Sequence, residues 1–310
     1  MKKDDVILSL SGGGSRFIGL ITAAYQLLIC GLRPTIIIGS SAGAIAALVC
    51  ACGKSAKGID IGLKVTRSSF LSRIPAITRS GSPNLLGFLR ILAGFIFPNR
   101  WYYLDKLSGL RRLIKQVIPK ELFLQYQAGD GPKVIICTTN PNTRETKYWN
   151  IKDQTIPYEQ MIDIIVASSA IAGVMKPPKI HDNHYYDGGH TEFSPLGQYL
   201  QYEYDFRKGK VSEAVAVYSQ DKAFDRHRIH TGWKRNVFAA LLKFTIPCYQ
   251  EEAARNDHFM EAVVCRENKI KYFPIFIQEF LEGPFDTNPG RLKKGHINAQ
   301  SAVANQYKPN

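Results

Sequence analysis

Short apolar runs alternating with longer mixed stretches organise this chain. Val6–Leu10 is apolar except for Ser9 and stops at Ser11 and three glycines, so it reads as a strand feeding a tight loop. Phe17–Ile29 follows at helical length, ending near Gly31 with Pro34 just beyond. Thr35–Ile38 is short and β-branched, a second strand, and Ala44–Ala51 is a helix of small residues that stops at Gly53. The order strand, helix, strand, helix implies a parallel sheet with helices on its faces.

Residues 54–128 have a different texture, with Ser, Arg, Gly and Pro scattered among apolar clusters, and predict a helical cap with one helix at Ser108–Val117. The strand pattern returns at Val134–Thr138, followed by a helix at Tyr158–Ala170 and short strands at Tyr185–Tyr186 and Ala214–Tyr218. Helical segments are expected at Trp233–Phe244 and Glu251–Val264, and a partly ordered polar tail after Gly283. The expected fold class is α/β, three layers α/β/α around a mostly parallel central sheet. Residues 1–220 form the main unit, with the cap inserted at about 54–128, and residues 221–310 form a helical extension packed on it, a candidate regulatory segment.

Charge and cysteines narrow the partners. Forty Lys and Arg against 26 Asp and Glu give a formal charge of +14, which attracts anionic lipid headgroups, nucleic acid or acidic proteins alike. No basic–aromatic motif points to nucleic acid, and none is expected as a partner. Cys30, Cys50, Cys52, Cys137, Cys248 and Cys265 show no paired CxxC spacing and sit mostly in apolar runs, so buried thiols in a reducing compartment fit better than a zinc site or a disulfide framework. The opening MKKDDVILSL is a poor secretory signal and a good first strand. With no apolar stretch of about 18 residues, the expectation is a cytoplasmic protein that is at most peripheral on membranes.

Three glycine motifs carry the chemistry. Gly39-Ser40-Ser41-Ala42-Gly43 is a G-x-S-x-G between a strand and a helix, where a nucleophilic serine stands on a sharp turn whose glycines let the backbone bend. In a chain with 25 glycines the pattern arises by chance in roughly one shuffled sequence in ten, so its strand-to-helix context carries the argument. Ser11-Gly12-Gly13-Gly14-Ser15-Arg16 follows the first strand, and its successive amides can converge on an anion or oxyanion. A dinucleotide fingerprint would need glycine where Phe17 stands, and no G-K-[ST] follows for a P-loop. Asp187, followed by Gly188 and Gly189, lies at a strand end in a tight turn; alone it reads as an ordinary Asp-Gly turn.

Together the three motifs resemble the patatin-like phospholipase family. The resemblance covers residues 6 to about 52 and 134 to about 200. It includes Ala167-Ser168-Ser169-Ala170, the segment Val174-Met175-Lys176-Pro177-Pro178, and Pro195 eight residues after Asp187. It implies a patatin-like α/β/α fold and a lipid acyl hydrolase of phospholipase A type. Ser41 would be the nucleophile, Asp187 its base, and Gly12, Gly13 and Gly14 the oxyanion donors. Arg16, Gly39, Gly43, Gly188 and Gly189 would support them. No metal or other cofactor is implied. The chain departs from the family pattern at Phe17, at Phe193-Ser194 and at Gly173, where a glycine, asparagines and a proline are usual.

Two rival readings stay open. A Ser-Asp-His hydrolase would draw its base from His227, His230, His258 or His296, with His181, His184 and His190 read as loop residues. A catalytically silent membrane-binding protein would keep the fold alone. The segment Leu85–Phe97, with Trp101–Tyr103 after it, is either an interfacial flap or a core helix of the cap. The expected partners are a phospholipid surface, anionic given the charge, and a protein or small-molecule activator.

Overall fold

Strands that must be buried on both faces dominate the centre of the protein. The computed structural model describes residues 4–70, 85–96, 106–171, 175–219, 255–278 and 287–308. Within them, β1 (Asp5–Leu10), α1 (Phe17–Ile29), β2 (Ile36–Ser40) and α2 (Ala42–Ala51) form the first half of a doubly covered sheet. Helices α3 (Ser55–Leu63), α4 (Arg67–Phe70), α5 (Leu85–Ile96), α6 (Ser108–Val117) and α7 (Lys120–Ala128) follow. Next come β3 (Lys133–Thr139), β4 (Thr146–Asn150), α8 (Tyr158–Ser168), β5 (Lys179–Ile180), β6 (Asn183–His184) and β7 (Tyr186–Asp187). The chain closes with α9 (Leu196–Gln198), β8 (Val211–Tyr218), α10 (residues 255–267), β9 (Lys271–Phe276) and α11 (Pro289–Gln306).

The central sheet runs β4-β3-β2-β1-β8-β9, with β7 also pairing with β3. Pairs β1–β2, β1–β8, β2–β3 and β8–β9 are parallel, whereas β3 pairs antiparallel with both β4 and β7. Strict alternation divides the core. Leu8, Leu10, Ile37, Val134, Ile136 and Val215 join one cluster; Ile7, Ile36, Ile38, Ile135, Cys137 and Ala214 join the other. Such strands read as continuous apolar runs because neither face meets water. The three-layer α/β/α expectation therefore holds.

The described elements of the cap segment are all helices, but α3 and α6 are built into the first core cluster rather than standing apart from it. Two glycines allow α3 this close: a Cβ at Gly58 would sit 2.7 Å from Val49 Cγ1, and one at Gly62 2.7 Å from Ile18 Cδ1.

The last residues correct the sequence reading. The stretch expected as a partly ordered tail is an 18-residue helix, α11. It starts at Asn288, whose side chain accepts the Arg291 amide, with Pro289 next, a favourable helix start. Its buried face is Leu292, Gly295, Ala299, Ala302 and Val303, a stripe too small to register as apolar in the sequence. The Gln306 amide bonds both the N–H and the carbonyl of Phe276, tying the helix to β9. β9 itself extends the central sheet, so the extension expected to be helical also supplies a strand. The expected helix Trp233–Phe244, His227, His230, Cys248, Gly173 and Trp101–Tyr103 lie outside the described residues.

Cys50, Cys137 and Cys265 are buried, as their apolar context predicts, whereas Cys30 at the end of α1 is exposed. Among the described residues no helix is long and apolar enough to cross a membrane.

Candidate active site

β2 runs directly into α2 with one residue between them, and that residue is Ser41. Its backbone takes φ 53° and ψ −117°, a conformation that non-glycine residues rarely adopt. The flanking glycines make the turn sterically possible. A Cβ at Gly39 would lie 2.3 Å from the Gly43 carbonyl oxygen, and one at Gly43 only 2.0 Å from the Leu10 carbonyl oxygen. The G-x-S-x-G pattern is thus a packing requirement between β1, β2 and α2. The Ser41 amide donates to Ser168 Oγ at 2.9 Å, and Ser168 Oγ donates to the Cys137 carbonyl at 2.7 Å.

Asp187 reaches Ser41 from the other side. β7 pairs Thr138 with Asp187 and Thr139 with Tyr186, and Thr139 Oγ1 donates to the Asp187 carbonyl. Gly188 is needed there because a Cβ would lie 2.6 Å from the Cys137 carbonyl oxygen and 2.7 Å from Ser40 Oγ. Of the two carboxylate oxygens, Oδ1 accepts the Gly189 amide at 2.8 Å and Oδ2 accepts Ser41 Oγ–H at 2.7 Å. Both residues are nearly enclosed, at 7% and 8% exposure. Burial pushes the Asp187 carboxyl above its ordinary value; the nearby His190, the Ser41 hydroxyl and the Gly189 amide pull it back part of the way. A hydroxyl donating to a buried carboxylate of raised basicity can give up its proton to it.

The glycine loop packs against this pair. A Cβ on Gly12 would fall 3.7 Å from Ser41 Cβ and 3.2 Å from the Phe193 ring. Gly12 does not have a free amide, however: its N–H donates to the Phe193 carbonyl at 2.8 Å. This qualifies the expectation of three oxyanion donors, because that amide already has an acceptor. Gly13 and Gly14 have no acceptor for their amides among the described residues, and Gly14 takes the left-handed φ of 57° that glycine tolerates. Arg16 closes the turn by donating its amide to the Gly13 carbonyl.

The sequence departures also find places. Phe17 turns away from the loop into the core, edge-on to Phe70. Phe193 is buried against Gly12.

The described candidate histidines sit in other surroundings. His258 bonds the Tyr272 hydroxyl and packs against Tyr218 and Phe276, and His296 pairs with Thr22 Oγ1. His181 bonds Gln160 and stacks on Trp149. Among the described residues no group of three or more His, Cys, Asp or Glu is placed to hold a metal ion. Two positioning groups escaped the sequence reading. Ser168 lay inside the noted Ala167–Ala170 segment without an assigned role, and Thr139 had no signal beyond its strand.

An elbow serine bonded to a buried aspartate thus lies beside a glycine loop on a three-layer α/β/α scaffold. The chain belongs to the patatin-like phospholipase family, which it matches over residues 8–200. No curated protein gives a significant sequence match. Among solved structures it is similar to VipD from Legionella pneumophila, at TM-score 0.48 and 14% identity over 98% of this chain and 66% of that one. It is also similar to the type III effector protein ExoU, at TM-score 0.44 and 14% identity over 97% and 52%. Human GIVD cytosolic phospholipase A2 follows, at TM-score 0.35 and 11% identity over 87% and 44%. The chain thus spans less than two thirds of each of these three.

Proposed function

We propose that this protein is a phospholipase A-type lipid acyl hydrolase working through a Ser41–Asp187 dyad. The observation that carries the reading is the 2.7 Å bond from Ser41 Oγ to Asp187 Oδ2, made in a buried site with no other group between them. In the first step Asp187 takes the Ser41 proton as Oγ adds to an acyl ester carbonyl. Collapse of the tetrahedral intermediate returns that proton to the leaving alcohol and leaves an acyl-Ser41 ester. Water, deprotonated by Asp187, then adds to that ester, and fatty acid departs as Ser41 recovers its proton. The amides of Gly13 and Gly14, which have no acceptor among the described residues, are the donors for the oxyanion in both steps, with the start of α2 favouring negative charge at Ser41.

Membrane phospholipid is the substrate surface in this reading. The +14 charge favours an anionic one, and α5 offers Leu85 and Leu89, 76% and 51% exposed, as apolar groups for an interface. An activator, protein or small molecule, belongs to the same reading, because an intracellular lipase of this kind needs restraint.

The test is fatty-acid release from mixed phospholipid vesicles by wild type, Ser41→Ala and Asp187→Asn. Release by wild type alone is expected. Release that persists in Asp187→Asn would replace the dyad with another base.

A further inference from the structure

The Gly12–Gly13 peptide lies between two residues without side chains, so little in its own covalent structure fixes which way its plane faces. Two serines from different elements do so. Ser219, just past β8, donates its hydroxyl to the Gly12 carbonyl oxygen at 2.5 Å. Ser11, at the end of β1, donates to the same oxygen at 3.1 Å. The two are themselves joined, the Ser219 amide donating to Ser11 Oγ at 2.9 Å, and the Ser11 amide donates to the Val217 carbonyl. Both serines are fully buried.

The consequence follows from peptide geometry. In a trans peptide the C=O and the following N–H point in opposite directions. Anchoring the Gly12 oxygen on Ser219 and Ser11 therefore aims the Gly13 N–H away from them. That amide is buried yet has no acceptor among the described residues, and buried N–H groups are almost always paired. The flipped plane would instead aim the Gly12 oxygen where the Gly13 N–H now points, presenting negative charge to an oxyanion. Ser219 also dictates the residue at position 13, since a Cβ there would lie 2.5 Å from its Oγ.

We infer that Ser219, seconded by Ser11, is a positioning residue that holds the Gly12–Gly13 peptide in its donor-outward orientation and so sets the oxyanion site. This rests on the hydrolase reading for its kinetic consequence, but the orientation itself does not.

The test compares Ser219→Ala with Ser219→Thr, which keeps the hydroxyl. Ser219→Ala is expected to lower kcat about tenfold with KM nearly unchanged, a fraction of the loss that follows removal of an oxyanion donor. Its reaction with a fluorophosphonate should slow in proportion, and Ser219→Thr should recover most of both. A thermal melt of each variant separates this pattern from unfolding. Independently of turnover, the assigned Gly13 amide resonance in a 15N-glycine spectrum should shift or broaden in Ser219→Ala and return in Ser219→Thr. An unchanged Gly13 resonance, or a KM effect without a kcat effect, would overturn the proposal. Absence of any wild-type turnover would count against the hydrolase reading alone, and the glycine spectra would still decide the orientation.

Discussion

Ser168 accepts a hydrogen bond from the backbone amide of Ser41 and donates its own O–H to the Cys137 carbonyl, so one hydroxyl ties the Ser41 elbow to the neighbouring strand. Ser41 has an unfavourable backbone conformation, and such strain persists only where surrounding bonds over-determine it. Ser168→Ala leaves a buried N–H and a buried C=O without this partner, at a cost of about 1–3 kcal/mol. The expected outcome is a lower unfolding midpoint together with slower Ser41 labelling by a fluorophosphonate. A variant as stable and as reactive as wild type would show that the elbow holds itself.

Glycine substitutions should separate packing clashes from backbone conformational strain. Gly43→Ala drives a Cβ into the Leu10 carbonyl and should abolish soluble folded protein. Gly53 has a positive φ with nothing within 4 Å of its absent Cβ, so Gly53→Ala should cost only about 1 kcal/mol. Comparable losses in denaturant titrations of the two would contradict this account.

In the proposed reaction Asp187 must be ionised to take a proton from Ser41. Burial raises its carboxyl and His190 lowers it, so the acidic limb of kcat/KM should lie above the ordinary aspartate value. His190→Gln removes a favourable neighbouring charge, and the limb should move to higher pH. A limb that stays in place, or moves down, would remove His190 from the site's electrostatics.

A second set of buried acids governs stability. Glu192, Glu261 and Asp257 are pushed up by burial to about 8, about 8 and about 7. Tyr148 donates to Glu192, Tyr218 and Tyr272 to Glu261, and the Ser194 amide to Asp257. In the unfolded chain such groups ionise near pH 4 to 4.5. Between those values the folded protein holds more protons, so stability is greatest at the acid end and falls as pH rises toward about 8. Each group contributes a slope of at most about 1.4 kcal/mol per pH unit. Chemical unfolding at pH 5, 6.5 and 8 should show this decline, and Glu261→Gln should flatten it.

Leu85 and Leu89 on α5 face solvent, so replacing both with glutamate should leave the melting temperature nearly unchanged. Flotation with anionic vesicles should then fall severalfold. Retained flotation would move the membrane surface elsewhere on the molecule.

How much of this was legible in the chain itself follows from the range of each interaction. Val6–Leu10, Phe17–Ile29 and Ser108–Val117 announce themselves because apolar period and terminating glycines are local properties, and each element lies within a residue of its expected place. Gly39, Ser41, Gly43, Asp187 and Gly188 were readable as motifs for a related reason, since a close backbone approach leaves glycine as its trace. The sequence alone thus determined a doubly covered α/β chain and the two residues proposed here to react. The tertiary structure decided the rest. α11 was hidden because Gly295, Ala299 and Ala302 fill its buried stripe between Leu292 and Val303, small enough to pack but too small to stand out as hydrophobic. Only the folded chain shows that the Gly12 amide is taken by Phe193, that Ser168 holds the elbow, and that Ser219 lies 2.5 Å from the Gly12 carbonyl oxygen. Those are hydrogen bonds between residues 127 to 207 positions apart, and a serine carries no mark of the distant backbone group it will meet.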